Sequence, residues 1–193
     1  TTSTGIRTFT CTKCGTTKKE TIPKTAPKKA TPGKTVTDTA TNGIYRVLTD
    51  GVSVKFVKPI TKKATAKIPD TVKVGGVICK VSEISVNAFK DDTTLKTVII
   101  GKNVKVIGNT AFYGCKNLAK VSGAGAIVQI GDRAFYNCMA LSGIVLPSTV
   151  TSIGKQAFYN CRNLKSITIN TLALNSKTLG TDRQNTVETF YRL

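Results

Sequence analysis

Two residue types are missing from this 193-residue chain, histidine and tryptophan. Without histidine the commonest general base and the commonest metal ligand are both gone. No Ser/His/Asp or Cys/His arrangement can be assembled, and nothing in the pattern specifies a Ser–Lys pair in its place. Without tryptophan, and with aromatics at 6%, there is no interleaved set of stacking platforms for bases. Acidic residues are scarce, 10 against 29 Lys+Arg, for a net charge of +19. No run of about 18 apolar residues occurs, so membrane insertion through a spanning helix is not expected. No leader pattern is visible either. The chain opens on Thr1 inside a polar stretch, which reads as a mature or excised piece of something longer.

The excess charge attracts polyanions over about a Debye length. Nucleic acid, anionic cell-wall polymers, sulfated glycans and mucins all qualify. Most of the charge is Lys spread along the chain, with no compact Arg-rich block. The ordinary reading is a solvated basic surface. An anionic polymer stays a candidate partner, and no specific nucleic acid is expected.

Along the chain, composition changes in steps. Residues 1–42 form a Thr/Lys/Pro-rich linker in which Pro23, Pro27 and Pro32 interrupt any helix or central strand. So little apolar surface cannot offset the entropy of ordering. An apolar patch of Ile6 and Phe9 beside Cys11 and Cys14 has the makings of a hairpin fragment. Residues 43–83 read as short Val/Ile-rich strands, IYRVL, SVKFV, TAKI, TVKV and VICKV. Asp50-Gly51 and Gly75-Gly76 sit between pairs of them, which is hairpin chemistry and predicts a β-hairpin N-terminal cap.

From residue 84 to 169 a register locks. Four segments starting at Ile84, Ile107, Ile130 and Ile153 are each 23 residues apart. They align Ala88, Ala111, Ala134 and Ala157 in one column and Phe89, Phe112, Phe135 and Phe158 in the next. Leu95, Leu118, Leu141 and Leu164 make a third. A fixed period of this size signals a solenoid of four repeats. Ala111, Cys115 and Leu118 follow helix-like spacing, while Leu164, Ile167 and Ile169 alternate as in a half-buried strand. Each repeat is therefore expected to give one strand of a parallel concave sheet and one short helical or 3-10 convex turn, an α/β architecture. Residues 170–193, with Leu172, Leu174, Leu179, Val187 and Phe190, are a C-terminal cap or irregular tail.

The remaining motifs read as structural. Cys115, Cys138 and Cys161 share one column, and a column does not offer the four converging ligands of a thiolate metal site. Small buried hydrophobes with reduced thiols are expected there. Cys11-x-x-Cys14 has redox or zinc spacing but only two ligands and no strand–turn–helix context, so a disulfide clip across a hairpin, or half of a site lost to truncation, is the expected reading. Asp91-Asp92 reads as a surface turn, and Gly33-Lys34-Thr35 lacks the earlier glycine of a phosphate loop. No catalytic residue, metal site or cofactor is expected.

The pattern IGxxAFxxCxxLxxIxI, with PxxVxxIG leading into the next unit, resembles the BspA-like leucine-rich repeats of bacterial surface proteins. Leu146–Ile169 is a near-consensus unit, and IPDTVKVGGVICKVSEI resembles the segment that often precedes the first repeat. The likeness covers roughly residues 66 to 180. Departures fall on the first repeat, with Ser85 for Gly and Asp92 for Cys, and on the tail, where no Ala-Phe unit follows Gly180. The N-terminal GIRTFTCTKCGTTKKETIPKT resembles small Cys-x-x-Cys modules found beside such repeats. The resemblance implies a secreted or cell-surface, non-enzymatic protein used in adhesion, with a protein or glycan ligand, host-derived ones included. The alternatives are a spacer or accessory module of a larger secreted protein and a polyanion-binding module. Candidate ligand-contacting positions are those facing outward on the strands: Thr97, Ile99, Lys120, Ser122, Gly143, Val145, Ser166 and Thr168. Lys102, Lys105, Lys116, Arg133, Lys155, Arg162 and Lys165 are a basic alternative, and a monomer is expected.

Overall fold

A computed structural model describes residues 5–22, 28–123, 125–169 and 190–192. Each 23-residue unit makes one coil of a β-solenoid, and the coils stack through two parallel ladders. In the first ladder, β8 (Val77–Ile84), β10 (Val106–Ile107), β12 (Gln129–Ile130) and β14 (Ser152–Ile153) place Ile84, Ile107, Ile130 and Ile153 side by side. All four isoleucines are buried. The second ladder is in two parts. β6 (Thr65–Ile68), β9 (Thr97–Ile100) and β11 (Lys120–Ser122) form one. β13 (Gly143–Leu146), β15 (Ser166–Ile169) and β16 (Phe190–Arg192) form the other. The break falls at Gly123, which takes the place held by Ile100 and Leu146 in neighbouring coils. Its φ of +81° is not a strand conformation, so the ladder stops there.

Ahead of the repeats, β3 (Thr35–Asp38), β4 (Gly43–Val47) and β5 (Ser53–Pro59) run antiparallel, and β5 then pairs β8 in parallel. β7 (Thr71–Val74) and β8 close a hairpin across Gly75 and Gly76, both at positive φ, as that dipeptide predicts. The stretch read as a linker to residue 42 is more ordered than its composition implies. Ala30 is buried with its amide on the Gly51 carbonyl at 2.8 Å, and β3 alternates so that Val36 packs on the core. A separate hairpin, β1 (Gly5–Thr10) and β2 (Thr17–Ile22), lies ahead of it, and residues 23–27 fall outside the described set.

The convex side corrects the sequence reading, since no helix, α or 3-10, occurs among the described residues and the local bonds there close isolated turns. In the second repeat the amides of Ala111, Tyr113 and Cys115 close local bonds to Gly108, Thr110 and Phe112. Those between them, Thr110, Phe112 and Gly114, reach instead to Asp132, Ala134 and Tyr136 of the next coil at 2.8–2.9 Å. A helix sends every amide to its own chain four residues back. Here alternate amides point along the solenoid axis, because two residues per coil adopt the left-handed conformation: Asn87 and Asp91, Thr110 and Gly114, Arg133 and Asn137, Gln156 and Asn160. Asn, Asp and Gly tolerate it best and supply five of the eight. The apolar spacing mimics a helix only because both arrangements bury every third or fourth residue.

The core is a column of rings. Phe56, Phe89, Phe112, Phe135 and Phe158 stack with centroids 5.1–5.3 Å apart and planes within 11°, so the solenoid has about five turns. Tyr45 closes the column edge-on against Phe56 at 77°. Each such pair adds roughly 0.5–1.5 kcal/mol beyond the area it buries. Glycine sets the coil spacing: a Cβ on Gly108 would meet Val86 N at 2.7 Å and Ile84 O at 2.8 Å. Ser85 is allowed where the other repeats have glycine because β5, not a preceding coil, lies beside it, and its amide bonds to Phe56 O at 2.8 Å.

β16 pairs β15 with Ile167 opposite Phe190, which keeps the 23-residue step in a segment whose sequence shows no repeat. Leu172, Leu174, Leu179 and Val187 lie outside the described residues.

Replacing the fully buried Phe135 with Ala is expected to cost about 3–5 kcal/mol in urea unfolding. Gly108→Ala is expected to lower the melting temperature, because backbone rather than a movable side chain blocks the added methyl. An unchanged melt for either variant would remove the corresponding constraint.

Candidate functional site

The outward positions on the second ladder lie where the alternation puts them. Val98, Ile144 and Ile167 point into the core, and Val121 packs against it. Thr97 is paired with Lys120 and Ile99 with Ser122; beyond the break, Gly143 is paired with Ser166 and Val145 with Thr168. All these candidates therefore share one face, as two short plates. Lys120 is exposed, the polar residues are half-exposed, and the apolar side chains stand in the open, Ile99 at 39% and Val145 at 61%. Thr65 and Lys67 extend the first plate, opposite Thr97 and Ile99. The sequence reading missed them because β6 sits 32 residues before its partner, outside the 23-residue period.

The basic alternative is scattered. Its seven cations are all exposed. Lys102 pairs with Asp70 at 3.6 Å, the one ion pair among the described residues. Arg133 donates to Gln156 Oε1 and Arg162 to Asn160 Oδ1, both at 2.8 Å. An open groove on the turn side holds Asn109, Thr110, Asp132, Arg133, Lys155 and Gln156. Its polar groups bind the coils to one another: Asn109 Oδ1 accepts from the Asp132 amide, and Asp132 Oδ1 from the Lys155 amide.

A second aromatic column was not read from the sequence, although Tyr follows Phe in three of the four repeats. Tyr113, Tyr136 and Tyr159 stack at 5.0 and 4.8 Å, with Lys90 5.6 Å from the Tyr113 ring centre and Arg133 6.0 Å from that of Tyr136. Each ring covers its neighbour's face, so the column is a brace rather than a platform for a planar ligand.

The cysteine column is buried, with free thiols. Cys115, Cys138 and Cys161 each donate S–H to the carbonyl of Phe89, Phe112 and Phe135 in the preceding coil, at 3.0, 3.2 and 3.1 Å. Burial pushes the Cys115 thiol up to about 12 and the Cys138 thiol well above its ordinary value. Asp92, read from sequence as a surface turn, is instead buried at the head of this column, where its Oδ1 accepts from the Thr94 amide at 3.0 Å. Cys11 and Cys14 are the opposite case, exposed and free in the turn of the β1–β2 hairpin. The Cys11 thiol, then the Thr16 hydroxyl at 2.9 Å and the Thr16 amide, bring Cys14 down to about 7. Among the described residues, no group of three or more Cys, Asp or Glu is placed to hold a metal ion.

The family described as the BspA-type leucine-rich repeat region (6 copies) matches residues 82–181. Among solved structures, a leucine-rich repeat protein of T. pallidum is 25% identical with a TM-score of 0.56, over 72% of this chain and 71% of its own. One from Bacteroides capillosus is 21% identical with a TM-score of 0.58, over 82% and 98%. A leucine-rich cell surface protein from Faecalibacterium prausnitzii is 23% identical with a TM-score of 0.54, over 74% and 46%. No curated protein matches the chain. No described helix is long and apolar enough to cross a membrane.

In the native state a thiol reagent is expected to label Cys11 and Cys14 quickly, with the Cys14 rate rising through about pH 7. The other four should react only on unfolding; fast labelling of Cys138 in the folded protein would contradict its burial. Below pH 9 Cys115 stays protonated in both folded and unfolded chains, whereas from 9 to about 12 only the unfolded chain loses that proton. Stability should therefore fall across that window. Urea midpoints on either side of pH 9 should show a smaller drop in Cys115→Ala.

Proposed function

The chain belongs to the BspA-type leucine-rich repeat family, and on that premise we propose that it is a non-catalytic binding protein of the bacterial surface, acting in adhesion. The ligand is a protein or a glycan, host-derived ones included, and it docks on the two outward plates of the second ladder. The observation that carries this reading is the pair of exposed aliphatic side chains, Ile99 and Val145, set among Thr and Ser on a face whose opposite side is rigid core. A mixed apolar and hydroxyl surface on a stiff sheet suits an extended partner, and solenoids commonly bind on such a face. The strands of residues 43–83 serve, in this reading, as the N-terminal cap that keeps the ring column from water. A secreted or wall-attached location fits the cell-surface name carried by one structural neighbour.

A second reading rests on the charge. A chain of +19 with one ion pair among its described residues attracts anionic polymers.

A glycan array with a host-protein pull-down identifies the partner. Ile99→Glu and Val145→Glu are each expected to weaken capture about tenfold, near 1.4 kcal/mol, without moving the melting temperature. Capture that survives both changes but falls steeply with added salt selects the polyanion reading instead.

A further inference from the structure

The antiparallel sheet ahead of the repeats continues only the first ladder. β4 and β3 extend that ladder beyond β5, whereas the second ladder begins at β6, which pairs β9 and has no strand on its other side among the described residues. In a parallel pair, alternate residues turn their backbone groups toward the neighbour. Ala66 lies opposite Val98, and the Thr97 amide bonds to Ala64 O at 2.9 Å, so the even-numbered residues serve β9. The N–H and C=O of Thr65 and Lys67 therefore face the open edge. Neither residue makes a backbone bond outside the ladder within the described set. Such a row of unpaired groups is a template for one more strand.

A cavity of about 340 Å³ lies against this edge. It is lined by Ala66 and Pro69 at β6, by Ala40 and Asn42 of the β3–β4 turn, and by Phe56 and Pro59 of β5. The turn is held firmly: Asn42 Oδ1 accepts from the Thr61 amide and hydroxyl at 3.1 and 2.9 Å, and Asn42 Nδ2 donates to Thr61 O at 2.8 Å. Lys63 and Lys67 also line the cavity, and no carboxylate does. Of the acidic groups nearby in sequence, Asp38 Oδ1 accepts from the Ala40 amide at 3.0 Å and Asp70 pairs with Lys102. A second copy pairing edge to edge would bring these lysines against their own counterparts, and like charges opposed across strands are destabilising. An acidic strand meets the reverse situation. Ala66 packs on the core and Lys67 faces outward, so a strand beside them needs apolar and acidic side chains in alternation. We propose that the open edge of β6 binds an extended acidic segment of another protein, which adds one strand to the second ladder. Its apolar side chains enter the cavity above Phe56, and its carboxylates meet Lys63 and Lys67. This site goes beyond the outward plates and does not depend on them.

The test is a titration of the full chain into a fluorescent hexapeptide of alternating Val and Glu, read by anisotropy, with a Val/Lys hexapeptide as its counterpart. The acidic peptide is expected to bind and the basic one not. Alternate N-methylation in the phase that faces β6 should weaken binding about tenfold, because main-chain bonds are lost, while methylation in the other phase should leave it intact. Lys67→Pro removes an outward N–H that an edge strand can spare. It should weaken binding more than Lys67→Ala, with both melts unchanged. Val145→Glu, on the other plate, should leave peptide binding as it is, which separates this site from the outward face. Equal binding of both N-methylated peptides and their parent would overturn strand addition, as would a Lys67→Pro variant no weaker than Lys67→Ala. Absence of acidic-peptide binding at millimolar concentration would overturn the acidic partner. So would a doubled mass of the full chain in light scattering that Lys67→Pro returns to one chain, since the occupant would then be a second copy.

Discussion

The structure depends on one division of labour among backbone amides. In the turns of the first three repeats, every second N–H bonds within the coil and the one between reaches to the next coil. Neither set alone is sufficient. The local bonds shape a coil that has no reason to stack, and the axial bonds need a coil already turned to present them. The alternation satisfies the polar backbone on a side where a helix would have turned all of it inward upon itself. Left-handed residues at four-residue intervals are what make it possible, and their conformational cost is met by bonds repeated at every step.

Packing then follows from the backbone. Coils held by amide bonds bring like residues over like, so a ring meets a ring and a thiol meets the carbonyl three residues before its own column position in the coil behind it. That explains why cysteine holds its column: it is small, apolar and able to donate one weak bond to a carbonyl that already accepts another. Glycine holds its own column for a simpler reason, since backbone of the neighbouring coil occupies the space of a side chain. Ser85 marks the place where the neighbour changes from a coil to β5, and the repeat relaxes there.

Much of this was legible in the sequence. Columns at constant spacing fix the period, the number of regular coils, the buried rings and the outward strand positions. The convex turn was not legible, because the spacing of Ala111, Cys115 and Leu118 suits a helix as well as a turn with alternating bonds. Only backbone angles separate them, and Arg133 or Gln156 gives no hint of a positive φ. Asp92 was misread because acidic pairs are ordinarily solvated, and its column membership outweighs that preference. Thr65 and Lys67 were hidden by a partner spacing of 32. The two-plate shape of the candidate face turns on Gly123, whose effect depends on what its neighbours are.

The ring column has a beginning of a different kind from its body. Phe56 reaches Phe89 from a strand that belongs to an antiparallel sheet, and Tyr45 closes the column behind it. From the second repeat on, the buried Ile, Ala, Phe, Cys and Leu columns recur at the same step in each described coil. Such a molecule has a polarity of growth. Duplicating or deleting a whole 23-residue unit beyond that point leaves every ladder in phase, while any other length of insertion throws the rings, thiols and glycines out of line together. No unit can be added ahead of Phe56 without dismantling the sheet that starts the stack. Variation in length within such a lineage is therefore quantised and confined to one end.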